Sequence, residues 1–205
     1  MHPLKDPKSL AEEEAKPLAL EWIASSIAGL ERFAGARSCT PGHEIILAAL
    51  AVNFAWERVP ASKQAARARR ILGSYRRVRE VLHGSARRFQ GVSEAEARRL
   101  FPEPAAVPPA YAIYKERIYF TPGFACFGPK CRAAMVLHEA VHIFDRRSGQ
   151  PDIHISEWDE PRFSSLTPDQ AIHNPSAYAS FAAQVHHERL EWPRGVRFGA
   201  GRPDD

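Results

Sequence analysis

The chain contains the segment Val136-Leu137-His138-Glu139-Ala140-Val141-His142-Ile143-Phe144, which sets the spacing H-E-x-x-H inside an apolar run. Residues four apart lie on the same face of a helix, so His138 and His142 can converge on one cation. Glu139 is displaced around that helix, where it can reach a water molecule bound to the cation. Neutral imidazoles suit zinc, and a catalytic zinc site keeps one position open for water, so we expect Zn²⁺ here.

The chemistry expected of this motif is hydrolysis of an amide, most often a peptide bond. The metal lowers the pKa of its water, and Glu139 takes the proton as general base. Pro129 suits the first turn of the helix, and Gly149 lies just beyond its expected end. The alternative is a structural pair of histidines satisfied by hydrogen bonds, because polar groups in an apolar helix are costly unless they are paired or bind a metal.

Composition is that of an ordinary globular protein, with 205 residues, 44% hydrophobic and 25% charged residues, and a net charge of +4. The N-terminus lacks a cationic start followed by an apolar segment, so no secretory signal is predicted. The most apolar early window, residues 45 to 55, is too short to cross a bilayer, which predicts no membrane insertion. We therefore expect a cytoplasmic protein, or one exported by a signal-independent route.

The pattern along the chain predicts four parts: a disordered lead over 1–8, a helical part over 9–101, a catalytic part over 102–195 and a tail over 196–205. The helical part is expected to pack with the catalytic part as one domain. Its first helix should begin at Ser9, in a Ser-x-x-Glu cap, and at Pro17 it should either kink or give way to a second helix. A loop is expected from Gly35 to Gly42, and a short capped helix from Ser93 to Phe101.

The helix expected over residues 61 to 82 carries a stripe of arginines between Arg67 and Arg79. Such a stripe can bind phosphates or another anionic partner, as in nucleic-acid-binding proteins. A solvated basic face is the plainer interpretation of the same pattern.

Beyond a proline-rich strap at 102–109 the apolar period changes from helical to alternating. Residues 110–114 and 117–121 predict a β-hairpin directly before the motif helix. In zinc peptidases an edge strand beside that helix holds an extended substrate by main-chain pairing.

The three cysteines do not define a compartment. Cys126 and Cys131 are spaced to close a small disulfide loop, or they are reduced thiols, and Cys39 stands apart.

The third protein ligand must follow the motif. A metzincin would need Gly and His where this chain has Asp145 and Ser148, so that class is excluded. A gluzincin would use a glutamate from a later helix, for which Glu188 is available. A nearer cluster of possible ligands lies between His154 and Phe163.

A further segment reads Ala171-Ile172-His173-Asn174-Pro175-Ser176-Ala177-Tyr178-Ala179-Ser180-Phe181-Ala182. Together with H-E-x-x-H and an acidic group between them, it resembles the aspzincins, the deuterolysin and lysine-specific metalloendopeptidase family. The likeness covers residues 117 to 185 or so and rests on the Ala-x-x-Asn-x-x-x-Tyr-x-x-Phe-Ala pattern. It implies a zincin-like fold and a zinc-dependent endopeptidase.

The resemblance implies an acidic third ligand in an Asp-x-x-Tyr spacing, which Glu160 and Phe163 match here. We therefore predict His138, His142 and Glu160 as the metal ligands, with Asp159 as the second choice and His154 as the third. The chain lacks the family's Gly-Thr and its tyrosine, and phenylalanine cannot donate a hydrogen bond to an oxyanion. Tyr178 is the residue that we expect to supply that donor.

In the same family pattern, Asn174 is predicted to cap a helix from Pro175 to about Glu191 and, with Tyr178, to steady the ligand loop. The fold expected is α+β, mainly α-helical and zincin-like, with the H-E-x-x-H helix and a small antiparallel hairpin at the cleft. The function expected is a zinc metallopeptidase acting on a protein or peptide substrate, with a bacterial effector or toxin as one setting. The alternatives are a nucleic-acid-associated basic protein and a catalytically degenerate zincin fold.

Overall fold

The computed structural model describes residues 6–35, 43–84, 87–101 and 107–190. Its nine α-helical segments within those ranges are α1 Pro7–Leu10, α2 Lys16–Gly35, α3 His43–Phe54, α4 Ala61–His83, α5 Glu94–Ala97, α6 Pro129–Phe144, α7 Glu160–Ser165, α8 Pro168–Ala171 and α9 Pro175–His187. Its strands there are β1 Phe89–Gly91, β2 Ala110–Ala112 and β3 Ile118–Phe120. The fold is therefore mainly helical with a small sheet, as predicted.

Some predictions fall outside the described residues. These concern the first five residues of the lead, the body of the loop after Gly35, Cys39, the strap over 102–106, and the chain beyond residue 190.

The first helical run begins earlier than predicted. Asp6 caps it by accepting a hydrogen bond from the Ser9 N–H at 2.9 Å, so Ser9 lies inside the first turn instead of preceding it. The expected kink takes the form of a π-helical segment, Ala11–Ala15, placed just before Pro17. Proline has no N–H to donate and its ring crowds the carbonyl four residues earlier, so a wider turn accommodates it within a continuous run.

One hydrophobic core joins the two predicted parts of the chain. Helix α6 is buried on nearly every face, because its residues are apolar almost all round. It packs against α2, α4 and α9. Large side chains from these neighbours, among them Trp22, Tyr75 and Phe181, are fully buried. Each such side chain stabilises the fold by roughly 1.5–3 kcal/mol through the apolar area that it removes from water.

The predicted hairpin is confirmed. Strand β2 pairs with β3 in antiparallel fashion, with Tyr111 opposite Tyr119. The turn between them passes through Lys115, whose positive φ of 63° is the left-handed conformation, and its N–H donates to the Ile143 carbonyl at 2.9 Å. This bond ties the hairpin to the C-terminal end of α6. Strand β1, which was not predicted, adds to the other side of β3 in parallel, so β2 is an edge strand of the sheet.

Two predicted helix caps are confirmed. Ser93 and Glu96 form a reciprocal capping box at α5. The Asn174 side chain accepts from the Ser176 N–H at 3.1 Å and begins α9 at Pro175. Helix α9 ends at His187, because Glu188 takes the left-handed conformation.

In the described ranges, no helix combines the length and the apolar character needed to cross a bilayer. Cys126 is exposed and Cys131 is buried, and no disulfide joins them.

Candidate metal centre

Three histidines converge at the C-terminal half of α6. His138 and His142 lie one turn apart on that helix, and His154 comes from the loop that follows it. Their ligating atoms all lie within 4.8 Å of one another, and His138 Nε2 is 2.9 Å from His154 Nε2. Tetrahedral nitrogen ligands of zinc are separated by about 3.3 Å, since their bonds to the metal are about 2.0–2.1 Å long. The three imidazoles could therefore hold one metal ion: the closest pair needs a shift of tenths of an ångström, and a pair at the 4.8 Å limit needs about 1.5 Å.

Serine hydroxyls contact both helix histidines from behind. Ser148 Oγ lies 2.6 Å from His142 Nδ1 and donates its own proton to the Asp145 carbonyl at 2.6 Å. The hydroxyl must then accept from Nδ1–H, which leaves the Nε2 lone pair of His142 for a metal. Ser176 Oγ lies 3.4 Å from His138 Nδ1, a contact whose direction depends on the tautomer of the ring.

Burial keeps the imidazoles neutral. Loss of solvent, together with His154 nearby, lowers the pKa of His142 to about 3. Desolvation, and then the two neighbouring rings, lower the pKa of His138 well below its usual value, and desolvation lowers the pKa of His154. At neutral pH each ring thus offers a lone pair, which is the state that binds metal.

The loop that carries His154 is held by its neighbours in the chain. Ile153 and Ile155 are both buried, so the residue between them is turned toward the surface beside α6. The Asn174 amide donates to the Ile155 carbonyl at 2.8 Å. Asn174 therefore caps α9 and also fixes the loop of the possible third ligand, which confirms the role predicted for it.

Glu139 lies beside the histidines in a cavity of about 300 Å³, which is also lined by His138, His154, Pro109 and Ala110. The carboxyl group is buried, and desolvation raises its pKa to about 8, against which a hydrogen bond from the Ala112 backbone acts. A dication beside a carboxylate favours its charged form and would lower that pKa. The glutamate is thus placed by strand β2 as well as by its own helix.

Strand β2 directs alternate backbone groups toward this cavity. The Ile113 N–H donates to Arg117, and the Thr121 N–H donates to Pro109, so the odd-numbered residues of β2 pair with β3. In an antiparallel ladder the residues between them direct their N–H and C=O groups to the opposite side. Ala112 uses that direction to reach Glu139, and Ala110 lines the cavity.

The structure does not bring the predicted acidic ligands to the histidines. Glu160 is the first residue of α7, is exposed, and lines a separate cavity of about 360 Å³ together with Phe163. The Asp159 carboxylate faces Arg162 at 3.3 Å. Glu188 is exposed at the end of α9. His154, the third choice from the sequence, therefore takes the place of Glu160 beside the two helix histidines.

Tyr178 lies in the core and does not line the cavity of Glu139. Its hydroxyl is 2.8 Å from the Ile172 carbonyl and 3.1 Å from Ser74 Oγ, and its ring packs edge-on against Phe54. Phe163 is also buried. Neither side chain is placed to donate to an oxyanion at the histidines.

Glu157, which the sequence did not single out, lies behind the site and lines the cavity of Glu160. Burial raises the pKa of its carboxyl group to about 7, with Ser176 and Trp158 acting in the opposite sense. Within the described residues neither carboxylate oxygen of Glu157 has a hydrogen-bond partner of regular geometry, so Ser176 lies near the carboxylate without a regular hydrogen bond to it. Because Ser176 also faces His138, this places a carboxyl group behind a serine that contacts the metal-binding ring. Its position three residues after His154 was the signal available in the sequence.

The arginine stripe of α4 contacts other parts of the fold. The contacts join Arg67 to the Pro168 carbonyl, Arg70 to His173, Arg76 to Glu31, and Arg77 to the ring of Phe144. These arginines hold α4 against its neighbours as well as carrying charge.

No family model, curated protein or solved structure matches this chain. The likeness to the aspzincins therefore depends on the quoted motifs alone.

Proposed function

We propose that this protein is a zinc-dependent peptidase with a zincin-like site on α6. The observation that carries the proposal is the convergence of three histidine nitrogens, two of whose rings line one open cavity together with the buried Glu139. Structural zinc sites are closed by four protein ligands, whereas three leave a position for water or substrate. Within the described residues the cluster holds three.

His138, His142 and His154 would hold the ion, and their Nε2 atoms suit zinc among the divalent metals because imidazole is a favoured zinc ligand. When bound, the ion activates a water molecule and polarises the carbonyl of the scissile bond. Ser148 keeps His142 in the tautomer that this requires, and Ser176 is placed to accept from Nδ1–H of His138 in the same tautomer.

Glu139 is the general base of this proposal. Its carboxylate takes a proton from the attacking water and returns it to the leaving amine, as one group commonly serves both steps. The Ala112 N–H holds the carboxylate on the side of the helix that faces the cavity.

A peptide substrate would enter along β2. The strand lies at the edge of its sheet, and the backbone of Ala110 faces the cavity next to Glu139. An extended chain can pair with such an edge through main-chain hydrogen bonds, which binds it with little dependence on sequence. That geometry favours an endopeptidase acting on extended polypeptide over a hydrolase of compact small molecules.

The test compares the purified chain with Glu139→Gln, which keeps the shape of the side chain and removes the base. Both proteins should bind one zinc per chain by metal analysis. Only the wild type should cleave a peptide library followed by mass spectrometry, and a chelator should stop it. A chain that binds no stoichiometric zinc contradicts the proposal. Zinc in both proteins with cleavage by neither assigns the chain instead to a degenerate fold that binds metal, for which the buried Tyr178 and Phe163 give a reason.

A further inference from the structure

A second cavity, of about 320 Å³, lies on the other side of the end of α6. One of its walls is a single face of α4, formed by Arg70, Gly73, Ser74 and Arg77, which recur at helical spacing. Asp145 and His173 line it from the opposite side. None of these residues belongs to the metal centre or to the cavity of Glu139.

The carboxylate in this cavity keeps its negative charge, but both of its oxygens already accept hydrogen bonds. Asp145 Oδ2 accepts from His173 Nδ1 at 2.6 Å, and Asp145 Oδ1 accepts from the Arg147 N–H at 3.0 Å. With its proton on Nδ1, His173 presents a lone pair at Nε2, which accepts from Arg70 at 2.9 Å and from Arg147 at 3.2 Å. The imidazole therefore cannot take a proton from the Ser74 hydroxyl, so this cluster suits binding and not nucleophilic catalysis.

The cavity has an excess of positive charge, because Arg70 and Arg77 line it against the single carboxylate of Asp145. Among the residues that the structure describes, neither Arg70 nor Arg77 has an ion pair with a carboxylate, although other arginines of α4 do. Arg77 lies over the ring of Phe144, 5.9 Å from its centre, which fixes the guanidinium at the cavity. Two guanidinium groups with unused donors thus flank one space.

Gly73 supplies an independent observation. It lies in the interior of α4, a 23-residue helix, and a Cβ added there would meet no atom within 4 Å. Glycine weakens a helix interior relative to alanine, and no close packing requires it at this position. What its missing side chain does is keep the space between Arg70 and Arg77 open.

We propose that this cavity binds a small soluble anion that carries a phosphate group, such as a phosphate monoester. Guanidinium groups present paired N–H donors that match the oxygens of a phosphate, and such charge-assisted bonds are the strong ones. The volume falls at the lower end of the range found for small-molecule sites, which leaves room for a phosphate and a short organic substituent.

The test is isothermal titration calorimetry of the full chain with inorganic phosphate in a low-salt buffer free of other polyanions. We expect saturable binding at one site per chain. Arg77→Gln should weaken it by about tenfold to a hundredfold, the usual effect of losing a charge-assisted hydrogen bond. Gly73→Leu keeps every charge and fills the space, and it should abolish binding.

Arg76→Gln is the matched control, because Arg76 is next to Arg77 and pairs with Glu31 away from the cavity. It should bind phosphate within about twofold of the wild type, since only general charge is lost. Absence of saturable heat with the wild type overturns the proposal. It is also overturned if Arg76→Gln weakens binding as much as Arg77→Gln, since that shows a nonspecific basic surface. Circular dichroism and zinc content of each variant establish that it is folded. If Gly73→Leu does not fold, Arg77→Gln still tests the proposal.

Discussion

Replacing His154 by alanine should separate the three-histidine centre from the acidic ligand set predicted by the sequence. The His154 ring nitrogen is 2.9 Å from that of His138, within a few tenths of an ångström of the spacing of about 3.3 Å that two zinc ligands require. His154→Ala leaves two protein ligands on one helix. Glu160, by contrast, is exposed at the start of α7 and lines another cavity.

The size of the effect follows from these positions. Changing a group that only supports a ligand weakens zinc binding by about 10–100-fold, so losing a ligand itself should cost at least about 100-fold. That factor corresponds to about 2.7 kcal/mol of binding free energy. Glu160→Ala should change zinc affinity by less than about twofold, because screening by water leaves an exposed carboxylate little influence at a distance.

The assay is competition for zinc against a chromogenic chelator at neutral pH, with wild type, His154→Ala and Glu160→Ala measured in parallel. A cooperative thermal unfolding transition in both variants shows that the comparison is between folded proteins. If Glu160→Ala loses zinc and His154→Ala keeps it, the loop is arranged differently in the metal-bound protein and the three-histidine ligand set is wrong.

Three other outcomes are expected. Ser148→Ala should weaken zinc binding by about 10–100-fold in the same competition assay, because it frees the ring of His142; an unchanged affinity contradicts this role. Gly73→Ala should raise the free energy of unfolding in urea by about 0.5–1 kcal/mol, through helix propensity in unoccupied space; a destabilised variant would mean that the space is filled in the native protein. Burial raises the pKa of Tyr178 from 10.0 to about 12. The protonated hydroxyl group therefore contributes fully to the free energy of unfolding below pH 10, and that contribution declines by about 3 kcal/mol as the pH rises to 12. Tyr178→Phe should make stability fall less steeply over that interval in urea titrations, with the buried Tyr75 accounting for part of the remaining slope, and an equal slope in both proteins argues against it.

Local patterns in the sequence predicted the local structure. The H-E-x-x-H helix, the hairpin from Ala110 to Phe120 and the Asn174 cap each depend on residues within a few positions of one another. Strand β1 was missed because its three residues form no period, and they become a strand only by pairing with β3.

The identity of the third histidine of the cluster depends on tertiary structure and could not be predicted from local sequence. Counting from a family pattern favoured Glu160, whereas the position of the loop is set by the burial of Ile153 and Ile155 and by the Asn174 amide. Tyr178 shows the same limit, since a tyrosine at a family position can donate to the substrate or to the core, and here Ile172 accepts from it. The pattern Ile153-His154-Ile155 could have indicated that His154 faces away from the two isoleucines, but which residues it then faces depends on where the core lies.

The three histidines differ in how firmly the fold holds them, which has a consequence for metal exchange. His138 and His142 belong to a helix inside the core, whose opening approaches the cost of unfolding the protein. His154 is exposed on a loop held by the buried Ile153 and Ile155, by the bond from the Asn174 amide and by local bonds to the Gln150 carbonyl, so it should open at less cost than the helix. If a metal ion binds to the three histidines, its release should therefore begin at His154, which would leave His138 and His142 as its protein ligands. The opening rate of this loop would then set the residence time of the metal, and the apoprotein would keep two of its three protein ligands in place for rapid reloading.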